Sequence, residues 1–411
     1  MKFRILQRWI AGLLIMSGLA APAATHYLVP ENSNAESPFT TWSSAGTSVI
    51  DVVNAALADA ASPRLVLVSN GVYTLTNAVP AITKDVVIRS VNGRDAVRID
   101  GDGQWRCFSL KHSNCVLDGL TLSNGYTSSG GGGGGVYIQN GTVSNCVITD
   151  CVNSNTDARH GGGGIRISGG LGVVANSIIS RNRKYLGDQG GGGIALENTS
   201  TSRIENCVIE GNNTFVGHGG GIYVGYDLNY GQPLAEIRNC LIRGNATMTS
   251  SSYYGGGIML GYAVSNRLLI ENCTIVCNTG RWVGGISFLN GADKITNALI
   301  RNCIVVSNWG QDYPNIGGVG TNAAAYTCST PGTHFKLING NISNAPVFVD
   351  PAAGDYHIQR SSPCINTGTN QAGWMAGARD LDGRSRLDPF SRQVDMGCYE
   401  YLPSGALYLG Q

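Results

Sequence analysis

Charge is what this sequence has least of. Only 13% of its 411 residues are Asp, Glu, Lys or Arg, where an ordinary globular chain has about 25%. The 28 basic and 27 acidic side chains nearly cancel to +1, so nothing suggests a partner in nucleic acid or an anionic membrane. Beyond the N-terminus no apolar run approaches the ~18 residues of a membrane span. No two of the 12 cysteines form a C-x-x-C pair, and the 6 histidines do not cluster with them, which removes the usual spacing of a zinc site. Glycine is abundant instead, at 58 residues, about twice its ordinary share. With 42% hydrophobic residues the chain can still bury a large core.

The N-terminus reads as a secretory signal peptide over residues 1–23. Lys2, Arg4 and Arg8 form a basic head, Trp9 to Ala20 an apolar stretch, and Ala21-Pro22-Ala23 a small-residue cleavage site. The expectation is export, to the medium or the cell surface, with cleavage after Ala23 and no transmembrane domain in the mature chain.

Two phrases recur in fixed order. Asn followed by a small residue, usually Cys, occurs at Asn114, Asn145, Asn176, Asn206, Asn239, Asn272 and Asn302, at steps of 30 to 33 residues. A glycine run followed by an aliphatic residue interleaves with it at Val136, Ile165, Ile194, Ile222, Ile258 and Ile286. Each period is too short and too glycine-rich for a helical pair, and its apolar residues alternate. The pattern predicts an all-β fold, a right-handed parallel β-helix with three short strands per coil. In one coil these are Ile222 to Val224, a strand ending at Ile237, and Cys240 to Ile242. Asn239 then occupies a tight bend, where Asn tolerates positive φ. With coils about 4.8 Å apart, Asn145, Asn176, Asn206, Asn239, Asn272 and Asn302 are expected to form a ladder.

Cys115, Cys146, Cys207, Cys240, Cys273 and Cys303 share one inward position, with Ser177 in the missing rung. Parallel Cβ atoms one coil apart are too distant for disulfides, so these read as stacked thiols. Thr47 to Ala60 carries an apolar helical stripe with Ser48 and Asp51 in capping positions, suiting a helix that covers the open first coil. Strands are expected at Leu65 to Val68, Val86 to Ile88 and Val116 to Leu122. The chain divides into an N-terminal cap, 24–61, the β-helix, 62–330, a C-terminal domain, 331–401, and a tail, 402–411.

The glycine-aliphatic and Asn-Cys coils resemble secreted β-helix proteins of the pectate-lyase-like superfamily over about residues 62–330. The C-terminal runs Asn344 to Pro351, Ser362 to Gly368, Asp380 to Arg384 and Val394 to Tyr401 resemble the choice-of-anchor Q domain that ends many bacterial surface β-helix proteins. In these turn-rich segments Cys364 and Cys398 are the favoured disulfide pair if one exists.

The superfamily resemblance implies binding of extended polysaccharide along the outer face of one sheet. The outward positions of the first strand read Tyr137, Arg166, Ala195, Tyr223, Met259 and Ser287. The preceding turns add Arg159, His160, Tyr185, His218, Tyr253, Tyr254, Arg281 and Trp282. Tyr137, Arg166, Glu197, Tyr223, Tyr254 and Trp282 are the candidate binding residues, with aromatic faces to stack on sugar rings and glycine to admit them. The competing reading packs those rings onto the coil. For catalysis, β-elimination on a uronate needs a base and a cation such as calcium. Asp157, Asp188 and Arg166 are the candidates, against a reading as solvated turn charges. Asp380-x-Asp382-Gly383 reads as a turn rather than a calcium loop. The expected protein is a monomeric, polysaccharide-interacting β-helix of the cell exterior, lyase-like on acidic glycans or, alternatively, a non-catalytic adhesin.

Overall fold

The computed structural model describes residues 24–401 except 130, 157–160, 188, 199, 226–233, 249–253, 262–267, 289–298, 319–322, 332–336, 371–374, 376 and 389–390. The expected signal peptide and the tail lie outside the described residues.

Along the repeats successive coils carry the three expected strands, and five of them, from Tyr126–Thr127 to Ala246–Thr247, add a fourth of two residues. One coil reads Ile194–Glu197, Thr201–Glu205, Val208–Glu210 and Asn213–Thr214; the next reads Ile222–Val224, Leu234–Arg238, Leu241–Arg243 and Ala246–Thr247. Each pairs in parallel and in register with its counterpart one coil on, Ile194 beside Ile222 and Ile204 beside Ile237. First and second strands share a 17-stranded sheet, third strands a nine-stranded one and fourth strands a five-stranded one. The result is a parallel β-helix. Ile165, Ile194, Ile222, Ile258 and Ile286 form one fully buried column inside it, each side chain contributing about 1.5–3 kcal/mol through burial. The strand expected over Val116 to Leu122 is broken at Gly119, whose φ of 70° turns the chain between Phe108–Asp118 and Thr121–Ser123.

The Asn bends are where the repeats place them. Asn145, Asn176, Asn206, Asn239, Asn272 and Asn302 all have φ between 50° and 54°. Their side-chain ladder is interrupted: Asn206 Nδ2 donates to Asn176 Oδ1 at 3.2 Å, Asn239 to Asn206 at 3.1 Å and Asn302 to Asn272 at 3.4 Å. Asn145 turns to Asp118 Oδ1 at 2.8 Å.

A second ladder, more regular than the first, runs inside the coil. Asn182, Asn212, Asn245, Asn278 and Asn308 each lie six residues after a bend Asn. Asn212 Oδ1 accepts both the backbone N–H and the Nδ2 of Asn182 at 3.0 Å, while Asn182 Nδ2 also donates to Ile148 O. The same set of bonds recurs from Asn212 to Asn245, from Asn245 to Asn278 and from Asn278 to Asn308. Where the preceding coil has Cys151 in place of Asn, its backbone N–H still donates to Asn182 Oδ1 at 3.0 Å.

The stacked thiols are buried and free. Each donates weakly to nearby backbone carbonyls, as Cys240 does to Arg238 O at 3.0 Å. Cys364 and Cys398, the favoured pair if a disulfide existed, are also buried and carry free thiols. Cys364 has Cys328 as its thiol neighbour, and Cys398 N donates to Thr274 Oγ1.

At the N-terminal end helix Val49–Ala58 buries Val49, Val52, Val53 and Ala56. Asp51 N donates to Ser48 Oγ, a cap worth ~1 kcal/mol. The strand Ala24–Leu28 pairs with Arg64–Val68, extending the sheet by a rung. The C-terminal segment folds back over the outside of the third-strand sheet, where Tyr356, Ile358, Cys364 and Met396 pack on Leu241, Val276, Ile304 and Val306. Arg386, fully buried, secures it by donating to Asn239 Oδ1 at 2.9 and 2.6 Å and to Glu400 Oε1 at 2.7 Å.

Candidate functional site

The outward positions of the first strand are not an open shelf. Tyr223 is 3% exposed, Glu197 3% and Arg166 8%, while Ala195 and Met259 are fully buried, which corrects their placement on a solvent-facing groove. Glycine produces this cover. Gly131, at φ 86°, sits so close over Arg166 that a Cβ there would lie 1.8 Å from Nη1; a Cβ on Gly225 would lie 1.8 Å from Tyr223 Cε1. Only glycine lets backbone lie against side chains in this way.

Two separate groups form beneath the cover. At one end Arg166 Nε donates to Glu197 Oε2 at 2.8 Å, and Gly161 N donates to Glu197 Oε1 at 2.5 Å. Tyr137 lies against this pair, its ring centroid 5.5 Å from the Arg166 guanidinium and 5.7 Å from that of Arg106. Burial, and then repulsion from Arg166, holds Arg106 below its ordinary pKa. Further along, Tyr223 packs with Ala195, Met259 and Tyr254. Asp157 and Asp188 lie outside the described residues. Glu197 is committed to Arg166 and Gly161, and Asp380 accepts backbone N–H groups from Asp382, Arg384 and Glu400, which is turn geometry. Among the described residues no group of three His, Cys, Asp or Glu side chains is arranged to hold a metal.

The surface with binding character is the corner after the fourth strand. Lys184, Thr214 and Thr247 are paired rungs, so Tyr185, Phe215 and Met248, one residue later, form a column outside them. Tyr185 and Phe215 stack at 4.7 Å and 15°; Met248 is 56% exposed. Beside this column His218, Tyr254 and Trp282 stack along the axis at 6.0 and 6.5 Å, with Arg281 5.1 Å over Trp282. Trp309, bridged to Thr279, is 62% exposed. Trp282 Nε1 is buried with no hydrogen-bond partner among the described residues.

Of the six candidate binding residues, Tyr254 and Trp282 belong to this corner and Tyr137, Arg166, Glu197 and Tyr223 do not. Phe215 and Met248 escaped the reading because they follow the two-residue strand, which no glycine run announces, and Trp309 because it stands on an isolated bridge in register with that strand. The offset of three residues that Phe215 and Met248 share after Asn212 and Asn245 was the available signal, whereas Trp309 directly follows Asn308.

The family described as "right handed beta helix region" matches residues 70–339. No curated protein matches the sequence. Similar solved structures include a pectate lyase, 14% identical over 92% of this chain and 96% of its own, with a TM-score of 0.49. A rhamnogalacturonan lyase is 16% identical over 74% and 87%, at 0.40. A mannuronic-acid-specific polysaccharide family 6 lyase from human gut microbiota is 14% identical over 68% and 85%, at 0.25.

Proposed function

The chain belongs to the right-handed β-helix family, and from that premise we propose that it is a polysaccharide-binding protein of the cell exterior that holds glycan without cleaving it. One observation carries the reading: the aromatic and apolar side chains of Tyr185, Phe215, Met248, Tyr254, Trp282 and Trp309 line one corner over successive coils. Rungs about 4.8 Å apart offer an extended glycan repeated contacts, and aromatic rings with few charges suit the apolar faces of sugars.

Binding is favoured over elimination because Arg166, the candidate base, is already engaged by Glu197 in a buried ion pair. Covered by Gly131 and 8% exposed, that guanidinium is out of reach of a bound glycan. Calcium, in this reading, is no part of the binding surface. Affinity electrophoresis of the purified protein in gels containing plant and microbial polysaccharides tests the proposal. Retardation by at least one glycan, without unsaturated sugar products, is expected; turnover on an acidic glycan would favour the lyase.

A further inference from the structure

At a different corner of the coil the C-terminal segment leaves a cleft against the bend Asn residues. It encloses about 480 Å³ and is lined by Arg94, Asn176, Asn206, Arg379, Leu381 and Tyr399, among others. A smaller recess of about 270 Å³ adjoins it, sharing Asn206 and Arg379. Neither the repeats nor the aromatic corner accounts for it.

The charges in this cleft are not balanced. Its carboxylates are spent on internal donors: Asp380 on three backbone N–H groups, and Asp382 on His357 Nε2 at 2.7 Å and Arg384 Nη1 at 3.2 Å. The two arginines on its wall are differently placed. Arg94, from a loop of an early coil, donates to the backbone carbonyl of Asn176 at 3.2 Å, and Arg379, from the C-terminal segment, to that of Gly383 at 2.7 Å. Each guanidinium has five N–H donors, and neither forms an ion pair with a described residue. Asn176 Oδ1 accepts from Asn206, while its exposed Nδ2 donates to no described residue. Tyr399, one face stacked on His357 at 3.9 Å, supplies an aromatic wall.

We propose that this cleft binds an anionic sugar, a uronate unit of an acidic polysaccharide. The carboxylate lies between the two guanidinium forks, each matched to its planar oxygens. Asn176 Nδ2 meets a ring hydroxyl and Tyr399 the sugar's apolar edge. Volume and chemistry agree, since a cleft of this size suits one or two sugar units and a neutral glycan would leave both cations unanswered. The inference rests on the glycan-binding reading for its ligand class, but it uses other residues, so the two fail separately.

Calorimetric titration of the full-length protein with oligogalacturonate, its methyl ester and galacturonic acid monomer tests the site. The acid oligomer is expected to bind, its affinity falling with salt, and the ester to bind about ten-fold more weakly or not at all. The monomer is expected to bind weakly but to compete. Arg94→Ala with Arg379→Ala should cost about ten-fold or more, and Arg94→Lys with Arg379→Lys, which keeps the charge and loses the fork, should recover part of it. Melting curves check that both variants are folded. Equal affinity for acid and ester, binding undiminished in the double alanine variant, or no binding of any uronate would overturn the inference. Retardation by a neutral glycan in affinity electrophoresis, lost in Trp309→Ala, would still leave the proposed function standing.

Discussion

Arg166 Nε donates to Glu197 Oε2 across one coil at 2.8 Å, and both side chains are at most 10% exposed. Such a pair, once formed, is costly to break from one side, because the remaining charge stays buried. Arg166→Ala or Glu197→Ala should therefore destabilise the protein by about 3–5 kcal/mol, whereas Arg166→Met with Glu197→Leu should cost much less. Chemical denaturation of the three variants measures this. Single variants as stable as the wild type would mean the pair is solvated after all, and would return Arg166 to the list of groups available for chemistry.

The two asparagine ladders differ in burial, and stability should differ with it. Asn245 is fully buried; it accepts two bonds from Asn212 and donates to Ile209 O and Asn278 Oδ1. Asn245→Ala strands several groups inside the coil, and a loss of roughly 3 kcal/mol or more is expected. Asn206, half-buried and one rung from the exposed Asn176, should cost about 1 kcal/mol on the same change. Melting temperatures that fell equally for both variants would remove the distinction between an inner and an outer ladder.

Much of the fold was readable because it recurs. One Asn-Cys phrase and one glycine-aliphatic phrase per coil specify bend, inward column and step length, and Asn239 and Cys240 stand where those phrases put them. Asn245 recurs as faithfully, but an Asn in a turn usually faces water, so its period was visible and its burial was not. The site was less legible for a physical reason. Whether Tyr223 is a groove residue depends on Gly225 lying over its ring, and whether Asn239 completes a ladder depends on Arg386, 147 residues away. Contacts of that range leave no local pattern.

Thiol reactivity should separate one cysteine from eleven. Cys277 is exposed and every other cysteine is buried without a disulfide. Burial pushes Cys146 and Cys398 each up to about 12, leaving almost no thiolate at neutral pH, and thiolate is the reactive form. Native protein treated with a maleimide should gain one label, at Cys277, and denatured protein twelve. Native labelling at Cys207 or Cys240 would count against the closed stack, as would a bridge between them in peptide maps.

His357 links the antiparallel pair of strands Phe348–Asp350 and Asp355–Ile358 to the loop that walls the cleft. Its Nδ1 lies 2.5 Å from Asp355 Oδ1 and its Nε2 2.7 Å from Asp382 Oδ2. Burial opposes the imidazolium, but hydrogen bonds to the two carboxylates outweigh it, and its pKa is raised. Because the folded value exceeds the unfolded one, this stabilisation is complete below about pH 6.5 and is lost as pH rises through the folded value. The difference in melting temperature between wild type and His357→Gln should therefore shrink from mildly acidic to mildly alkaline pH. A constant or widening difference would show that the imidazolium is not what holds the two elements together.

The aromatic corner makes the most direct demand on function. Trp309 is mostly exposed, so Trp309→Ala should hardly change stability while removing a large apolar face from the strip. Each stacking ring lost should weaken glycan binding by about 0.5–1.5 kcal/mol beyond the area it buried, and Trp309→Ala with Phe215→Ala should approach the sum, because neither touches the other's coil. Met248→Ala, with no ring to stack, should cost less than either. Binding here depends on apolar contact, so it should survive high salt, whereas binding in the arginine cleft should fade with salt. A protein that held its glycan equally well after Trp309→Ala, Phe215→Ala and Trp282→Ala together would exclude the corner. Salt sensitivity would then decide whether the arginine cleft alone makes the contact.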